Sequence, residues 1–260
     1  MATAASNEGK PSKVTERELA VLADHAATNQ VHAMNAVLDT ICEREEKTGS
    51  EVITVFAINA ASQTLVHTAA EHGHTGILEL LYQRLLQDII YNPKDNSKAS
   101  AVARFMNQKD REGNTACHIA ATHGQLNFLH QLVDYGASLD IKNNAGWSTL
   151  HAAAKKGHVE TVDWLLQKGL DINAQTSKGN TCLHLVARDD WYEVAKLLIR
   201  KGADLEIRNQ HRLLPYQIAD ILHCEAFTGL LMEMNVYRPS VEDLDYDWDA
   251  MLRSIDDYFE

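Results

Sequence analysis

The residues most able to do chemistry in this chain are its histidines. His67, His118, His151 and His184 sit in similar local sequences, and the last three are spaced 33 residues apart. An imidazole near neutral pH can move a proton or bind a metal ion. Around the four lie His72-Gly73-His74, Cys117-His118 and Cys182-Leu183-His184, which could offer nitrogen and sulfur to zinc. A short His-x-His is a weak metal signal, and Cys117 falls at an apolar position where core packing accounts for it. Gly113-Asn114-Thr115 and Gly179-Asn180-Thr181 recur as turns, not as a phosphate loop after a strand. No Ser or Cys occupies a nucleophile elbow. Carboxylates gather most densely near the C-terminus, where a solvated acidic face explains them. No catalytic residue, metal ligand or cofactor is therefore assigned, and the chain is expected not to be an enzyme.

The spacing says more than the residue type. Gly113, Gly146 and Gly179 each precede a histidine by five residues, and Thr115, Ser148 and Thr181 precede it by three. Ala120-Ala121, Ala153-Ala154 and Val186-Ala187 follow at a common offset. Gly124 and Gly157 close a first short helix, with Asp190 in that place in the next copy. Leu132, Leu165 and Leu198 belong to a second helix, which Gly136, Gly169 and Gly202 close. Counting on from His184 gives Gln217. A fixed period of this length marks a solenoid. The small Ala pairs let neighbouring helices approach closely, and Gly supplies the left-handed cap that ends each helix. No single copy buries its own apolar face, so stability comes from neighbours.

This pattern resembles the ankyrin repeat, whose signature is Gly-x-Thr-Pro-Leu-His-x-Ala-Ala. The resemblance runs from about Asn59 to Tyr237, although no copy keeps the whole Thr-Pro-Leu-His. It implies an all-α fold: an ankyrin-repeat solenoid of helix-turn-helix units joined by hairpin-like loops. It also implies that the repeated histidines are structural, with hydrogen bonds inside and between turns. The expected organisation is a disordered N-terminus (1-14), a degenerate N-terminal helical cap repeat with its lead-in (15-58) and a first repeat (59-91). An insertion (92-109), three further repeats (110-142, 143-175 and 176-208), a degenerate C-terminal capping repeat (209-238) and an acidic amphipathic tail (239-260) follow. In the cap repeat, Thr15 with Glu18 suggests a capping box. In the insertion, Pro93 and its neighbours mark a loop and Ala99–Phe105 can extend a helix; it reads either as a binding loop or as a tolerated surface loop. In the capping repeat, Arg212, His223 and Asn235 stand where glycine is expected. Ser62 does so in the first.

The 260 residues carry a net charge of −12 and 45% hydrophobic residues, enough for a sizeable core. The negative charge argues against duplex nucleic acid as a main partner. No run of about 18 apolar residues predicts a membrane span. Cys42, Cys117, Cys182 and Cys224 lie in separate blocks and read as free thiols. A cytoplasmic location is expected, with a nuclear one second and a secreted effector still open. The expected partner is another protein, and the expected state is a monomer.

The resemblance also implies where such a partner binds, because ankyrin arrays commonly use their hairpin tips and the inner face of the first helices. In this chain those positions are Arg111, Glu112 and Asn114; Asn144 and Trp147; Lys178 and Asn180; and His211 at the tips. On the first helices they are Lys155, Lys156, Arg188 and Asp189. Trp147 reads as an interface anchor, or as a ring packed on a neighbouring tip. Lys155, Lys156, Lys178 and Arg188 form a basic strip that could meet an acidic segment, of a partner or of the chain itself. The last twenty residues hold eight acids against one base. Their apolar residues Val241, Leu244, Trp248, Met251, Ile255 and Tyr258 recur at helical spacing. This tail reads as a cover over the end of the last repeat, or as a recognition element delivered to a second partner.

Overall fold

The computed structural model describes residues 14–45, 61–91 and 98–234. Among these are thirteen helices and no strand. The expectations for the first thirteen residues, the Glu51–Ile58 lead-in and the tail with Leu244, Trp248, Met251, Ile255 and Tyr258 lie outside the described residues. One row consists of α1 (Glu16–Ala27), α3 (Leu65–His72), α6 (Ala116–Thr122), α8 (Thr149–Lys155), α10 (Cys182–Asp189) and α12 (Pro215–Ile221). Each packs on the next. The second row consists of α2 (Val31–Glu45), α4 (Thr75–Tyr91), α7 (Leu126–Asp134), α9 (Val159–Gln167), α11 (Tyr192–Arg200) and α13 (Glu225–Glu233), each lying against the first-row helix before it.

The rows exist because side-chain size alternates between them. Ala69-Ala70, Ala120-Ala121, Ala153-Ala154, Val186-Ala187 and Ala219 are all fully buried where first-row helices meet. Small side chains bring the helix axes close. Leu81, Leu132, Leu165, Leu198 and Leu231 run down the second row, and all are buried at the shared core. At the N-terminus, the Thr15 hydroxyl accepts from the Glu18 N–H at 3.3 Å, and the Glu18 carboxylate accepts from the Thr15 N–H at 2.9 Å. This is a capping box. Arg44 of α2 reaches the same carboxylate at 2.5 Å and, with the Thr15 hydrogen bonds, holds it down to about 2.

Residues 92–97, where Pro93 marks a loop in the insertion, lie outside the described residues, but the insertion then becomes helical, as Ala99–Phe105 suggests. It carries α5 (Lys98–Met106), which packs on α4 and sends Val102, Phe105 and Met106 into the common core. Asn107 then ties it to the next repeat, its side-chain oxygen accepting from the Ser138 N–H at 2.8 Å.

Five non-glycine residues have positive φ: Asn29, Ser62, Asp190, Arg212 and His223. Asn29 closes the turn between α1 and α2, and the other four stand at glycine positions of the repeat. A left-handed residue with a Cβ carries a cost of about 1 kcal/mol. At Asp190 the side chain offsets this cost. Its carboxylate accepts from the N–H groups of Phe227 at 2.8 Å and Ala226 at 3.3 Å, capping α13 from the preceding repeat. Arg212 and His223 are exposed. Thermal or urea unfolding is therefore expected to show Arg212→Gly and His223→Gly each stabilising the array by about 0.5–1 kcal/mol. Asp190→Gly is expected to give no gain, because it removes the cap along with the strain.

Candidate interaction face on the first-row helices and hairpin tips

The four repeated histidines turn out to be bridges. In each, Nδ1 accepts the backbone N–H of the residue that starts its helix: Thr64 (3.2 Å), Thr115 (3.2 Å), Ser148 (3.3 Å) and Thr181 (3.1 Å). An acceptor Nδ1 requires the proton on Nε2. That nitrogen donates to the carbonyls of Asn114 (3.1 Å), Trp147 (3.0 Å), Ala174 (3.0 Å) and Leu213 (3.0 Å) beyond the next turn. Both nitrogens are committed and the rings are buried, so none is poised to move a proton to a substrate. Burial holds His151 and His184 down at about 4, and lowers His67 and His118 in the same direction. Burial also pushes the Cys117 thiol up to about 12 and Cys224 up to about 11, away from nucleophilic chemistry. All four cysteines are free thiols, and no His/Cys/Asp/Glu grouping among the described residues could hold a metal.

A second series of bridges was not anticipated from the sequence. His74, Gln125, His158, Trp191 and Cys224 share one repeat position, just before the second-row helix. Each donates to a carbonyl near the end of the preceding first-row helix: Ala26 (2.9 Å), Glu71 (3.4 Å), Thr122 (2.9 Å), Lys155 (2.9 Å) and Arg188 (3.6 Å, from sulfur). These are carbonyls that a helix end leaves without intrahelical donors. Gln125, His158 and Trp191 lie over the glycines that end those helices. A Cβ on Gly73 would come within 2.2 Å of Gln125, and one on Gly124 or Gly157 within 2.6 Å of His158 or Trp191.

The hairpin tips form a ladder. The N–H of Arg111, Asn144, Ser177 and Gln210 donates to Ala61, Glu112, Ala145 and Lys178 respectively, at 2.8–3.0 Å. Each turn is held from inside by a residue at one repeat position. Asp110 accepts from the N–H groups of Glu112 and Asn114, Asn143 from Ala145 and Trp147, and Asn209 from His211 and Leu213. The Thr176 hydroxyl accepts from Asn180. Such turns are a usual role for Asp, Asn and Thr. The 33-residue period runs through these four positions too and could have flagged them.

Of the residues expected to face a partner, Arg111, Glu112, Asn144 and Lys156 are exposed. Lys178, Arg188, Asp189 and His211 are half-buried. Asn180 is instead buried, its oxygen accepting from the Asn209 amide at 2.9 Å, and Asn114 accepts likewise from Asn143 at 2.9 Å. These two belong to the stack, because the amide that would face a partner is used to join adjacent tips. Trp147 is half-buried on an apolar cluster of Leu185, Leu213 and Ile218 that stands apart from the main core. The Lys155 ammonium lies 4.9 Å over its ring. Arg188 pairs with Asp189 at 2.7 Å. His211 is held low by burial and by the nearby Lys178 charge. The structure thus gathers Trp147 and Lys155 at one apolar patch and sets Lys178 near His211. Arg111 and Glu112 lie one tip before Asn144 on the ladder.

The bridging histidines carry a pH dependence. Their folded pKa lies below the unfolded value of 6.5, so the unfolded chain binds protons first as the solution is acidified. Their stabilisation is complete above about 6.5 and is lost as pH falls toward about 4. Between about pH 6.5 and pH 5, His151 and His184 should each cost the array about 2 kcal/mol. Gln217 fills the same position in α12, with its oxygen accepting the Leu214 N–H at 2.9 Å and no proton to gain. The double variant His151→Gln/His184→Gln is expected to flatten the acid limb of a urea-unfolding series over that range.

Comparison with known proteins agrees with this geometry. A family model described as ankyrin repeats (3 copies) matches residues 26–143, 84–176 and 118–209, which together span well over half of the chain. The chain is similar to the transcription factor MBP1 of Saccharomyces cerevisiae, 33% identical over 93 residues, 36% of this chain and 11% of that protein. It is similar to synphilin-1 of Mus musculus, 30% identical over 105 residues, 40% of this chain and 10% of that protein. MBP1 of Kluyveromyces lactis is 30% identical over 94 residues, 36% of this chain and 12% of that protein. The chain therefore aligns with about a tenth of the length of each relative. With the two rows of helices, the tip ladder and the family match together, the chain belongs to the ankyrin repeat family.

Proposed function

We propose that the chain is a non-enzymatic scaffold or adaptor that holds a protein partner against its first-row helices and hairpin tips. Ankyrin repeats are protein-binding modules, and no helix among the described residues is long and apolar enough to cross a membrane. The observation that carries the reading is the patch at Trp147. An aromatic ring seated on the Leu185, Leu213 and Ile218 cluster, with the Lys155 ammonium above it, offers both apolar area and positive charge. Lys156, next in the chain, and Lys178 on the neighbouring repeat extend that charge on a chain whose net charge is −12. A buried-edge Trp beside cations is the composition of an interface anchor. Such a face suits an acidic protein segment better than nucleic acid, whose phosphates would meet the chain's overall negative field. The buried bridging histidines and high-pKa thiols give the reading its negative side, since neither is available for catalysis.

Affinity capture with the full chain tests this reading, comparing wild type with Trp147→Ala and with Lys155→Glu/Lys156→Glu. Specific partners are expected to be weakened by about 30-fold or more in Trp147→Ala, the size of an anchor worth about 2 kcal/mol. The charge reversal should weaken them further as salt falls. An identical set of partners, retained at wild-type affinity by both folded variants, would sink the proposal.

A further inference from the structure

The apolar cluster beneath Trp147 has more to say. Leu185 and Ile218 each stand one residue after the bridging position, on α10 and α12. Ile119 holds that place on α6 and is half-exposed, whereas Leu185 and Ile218 are 1% and 0% exposed. The cluster is separate from the continuous core, and Trp147, Ile221 and Leu222 pack at its margin. Lys155 lies over the Trp147 ring, Lys156 follows it in the chain, and Lys178 stands near His211 on the next tip, while the Arg188 charge is met by Asp189. Leu185, Leu213 and Ile218 are themselves buried, so the apolar area the face offers is the half-exposed margin of Trp147, Ile221 and Leu222 above them. Beside a basic rim, that margin is the complement of an acidic amphipathic helix.

We infer that the occupant of this face is the chain's own C-terminal segment, Val241–Glu260, bound in cis. The inference rests on reading the first-row helices as an interaction face. The segment has eight acids and one base, opposite in sign to the rim. Its Val241, Leu244, Trp248, Met251, Ile255 and Tyr258 recur at the spacing of one helix face, matching the apolar margin of Trp147, Ile221 and Leu222. It starts close enough. α13 ends at Glu233, and the few residues from Met234 to Val241 can span on the order of 20 Å when extended. Successive helices of a packed row are about 8–10 Å apart, so α10 and α8 lie within reach. A partner for this face then has to displace a tethered competitor, whose effective concentration is in the millimolar range for a short linker. The tail acts as a built-in inhibitor of the repeats. Binding at the α13 end of the array, as a terminal cap, would not bring its acids to Lys155 and Lys156.

Hydrogen exchange with mass spectrometry on the full chain tests this. The expected result is that amides over 241–260 exchange about tenfold or more slowly than a free chain. Trp248→Asp should abolish that protection and speed exchange around Leu185 and Ile218. Lys155→Glu/Lys156→Glu should do the same, and so should high ionic strength. Three outcomes would overturn the inference: no protection over 241–260; protection that survives the lysine reversal; or protection that grows with protein concentration, which would place the segment on a second copy. A free tail together with partner capture that depends on Trp147 would leave the proposed function standing. A docked tail with capture indifferent to Trp147 would do the reverse.

Discussion

The array depends on an imidazole that is protonated on one nitrogen and bare on the other. Only the Nε2–H tautomer can accept a backbone N–H at the start of its own helix and donate to a carbonyl beyond the next turn. Four such rings, at His67, His118, His151 and His184, fix where each first-row helix begins relative to the following tip. The register of the tips follows from this, and so does the ladder of backbone hydrogen bonds that joins them. Because each ring is fully used inside the stack, the same residues that first suggested catalysis are the ones least able to perform it. The face the array presents is made of what the bridges leave over.

The second series of bridges does for the ends of the first-row helices what the imidazoles do for their starts. A side chain before each second-row helix supplies a donor to a carbonyl that would otherwise need water. The donors vary from imidazole to amide to indole to thiol. The constraint is on reach and polarity, not on residue type. This accounts for Trp191, whose ring is 42% exposed but whose indole N–H is held by Lys155. It also accounts for why glycine persists at positions 73, 124 and 157, where a donor side chain lies against the helix end.

The repeats were legible in the sequence because the same physical demand recurs every 33 residues. A bridging His, an Ala pair and a row leucine are each ambiguous alone and unambiguous in register. The non-glycine residues at glycine positions, Ser62, Asp190, Arg212 and His223, were legible for the same reason. What appears once was harder to read. The insertion has no second copy, so nothing in its sequence told that Val102, Phe105 and Met106 complete the core beside α4. The surface positions were legible only as positions. Asn114 and Asn180 sit at tips like their neighbours, yet each accepts from an Asn one repeat later. That pairing depends on two repeats being stacked, which a reading along one chain does not supply. For Trp147 the structure shows packing on the Leu185, Leu213 and Ile218 cluster of the neighbouring repeats, with the Lys155 ammonium over its ring.

The exchange at Asp190 has a consequence for how such a chain can be rearranged. Upstream, a glycine is matched by a bulky donor: Gly73 with Gln125, Gly124 with His158, Gly157 with Trp191. At the last junction both halves change together, Asp190 facing Cys224 and capping α13. The two kinds of joint are not interchangeable. The units ending at Gly124 and Gly157 can be duplicated, deleted or swapped, since each meets its successor through the same kind of socket. The unit ending at Asp190 accepts only a successor with a small residue and an uncapped helix start. The array can lengthen or shorten in its middle, while its final pair of repeats travels as one piece.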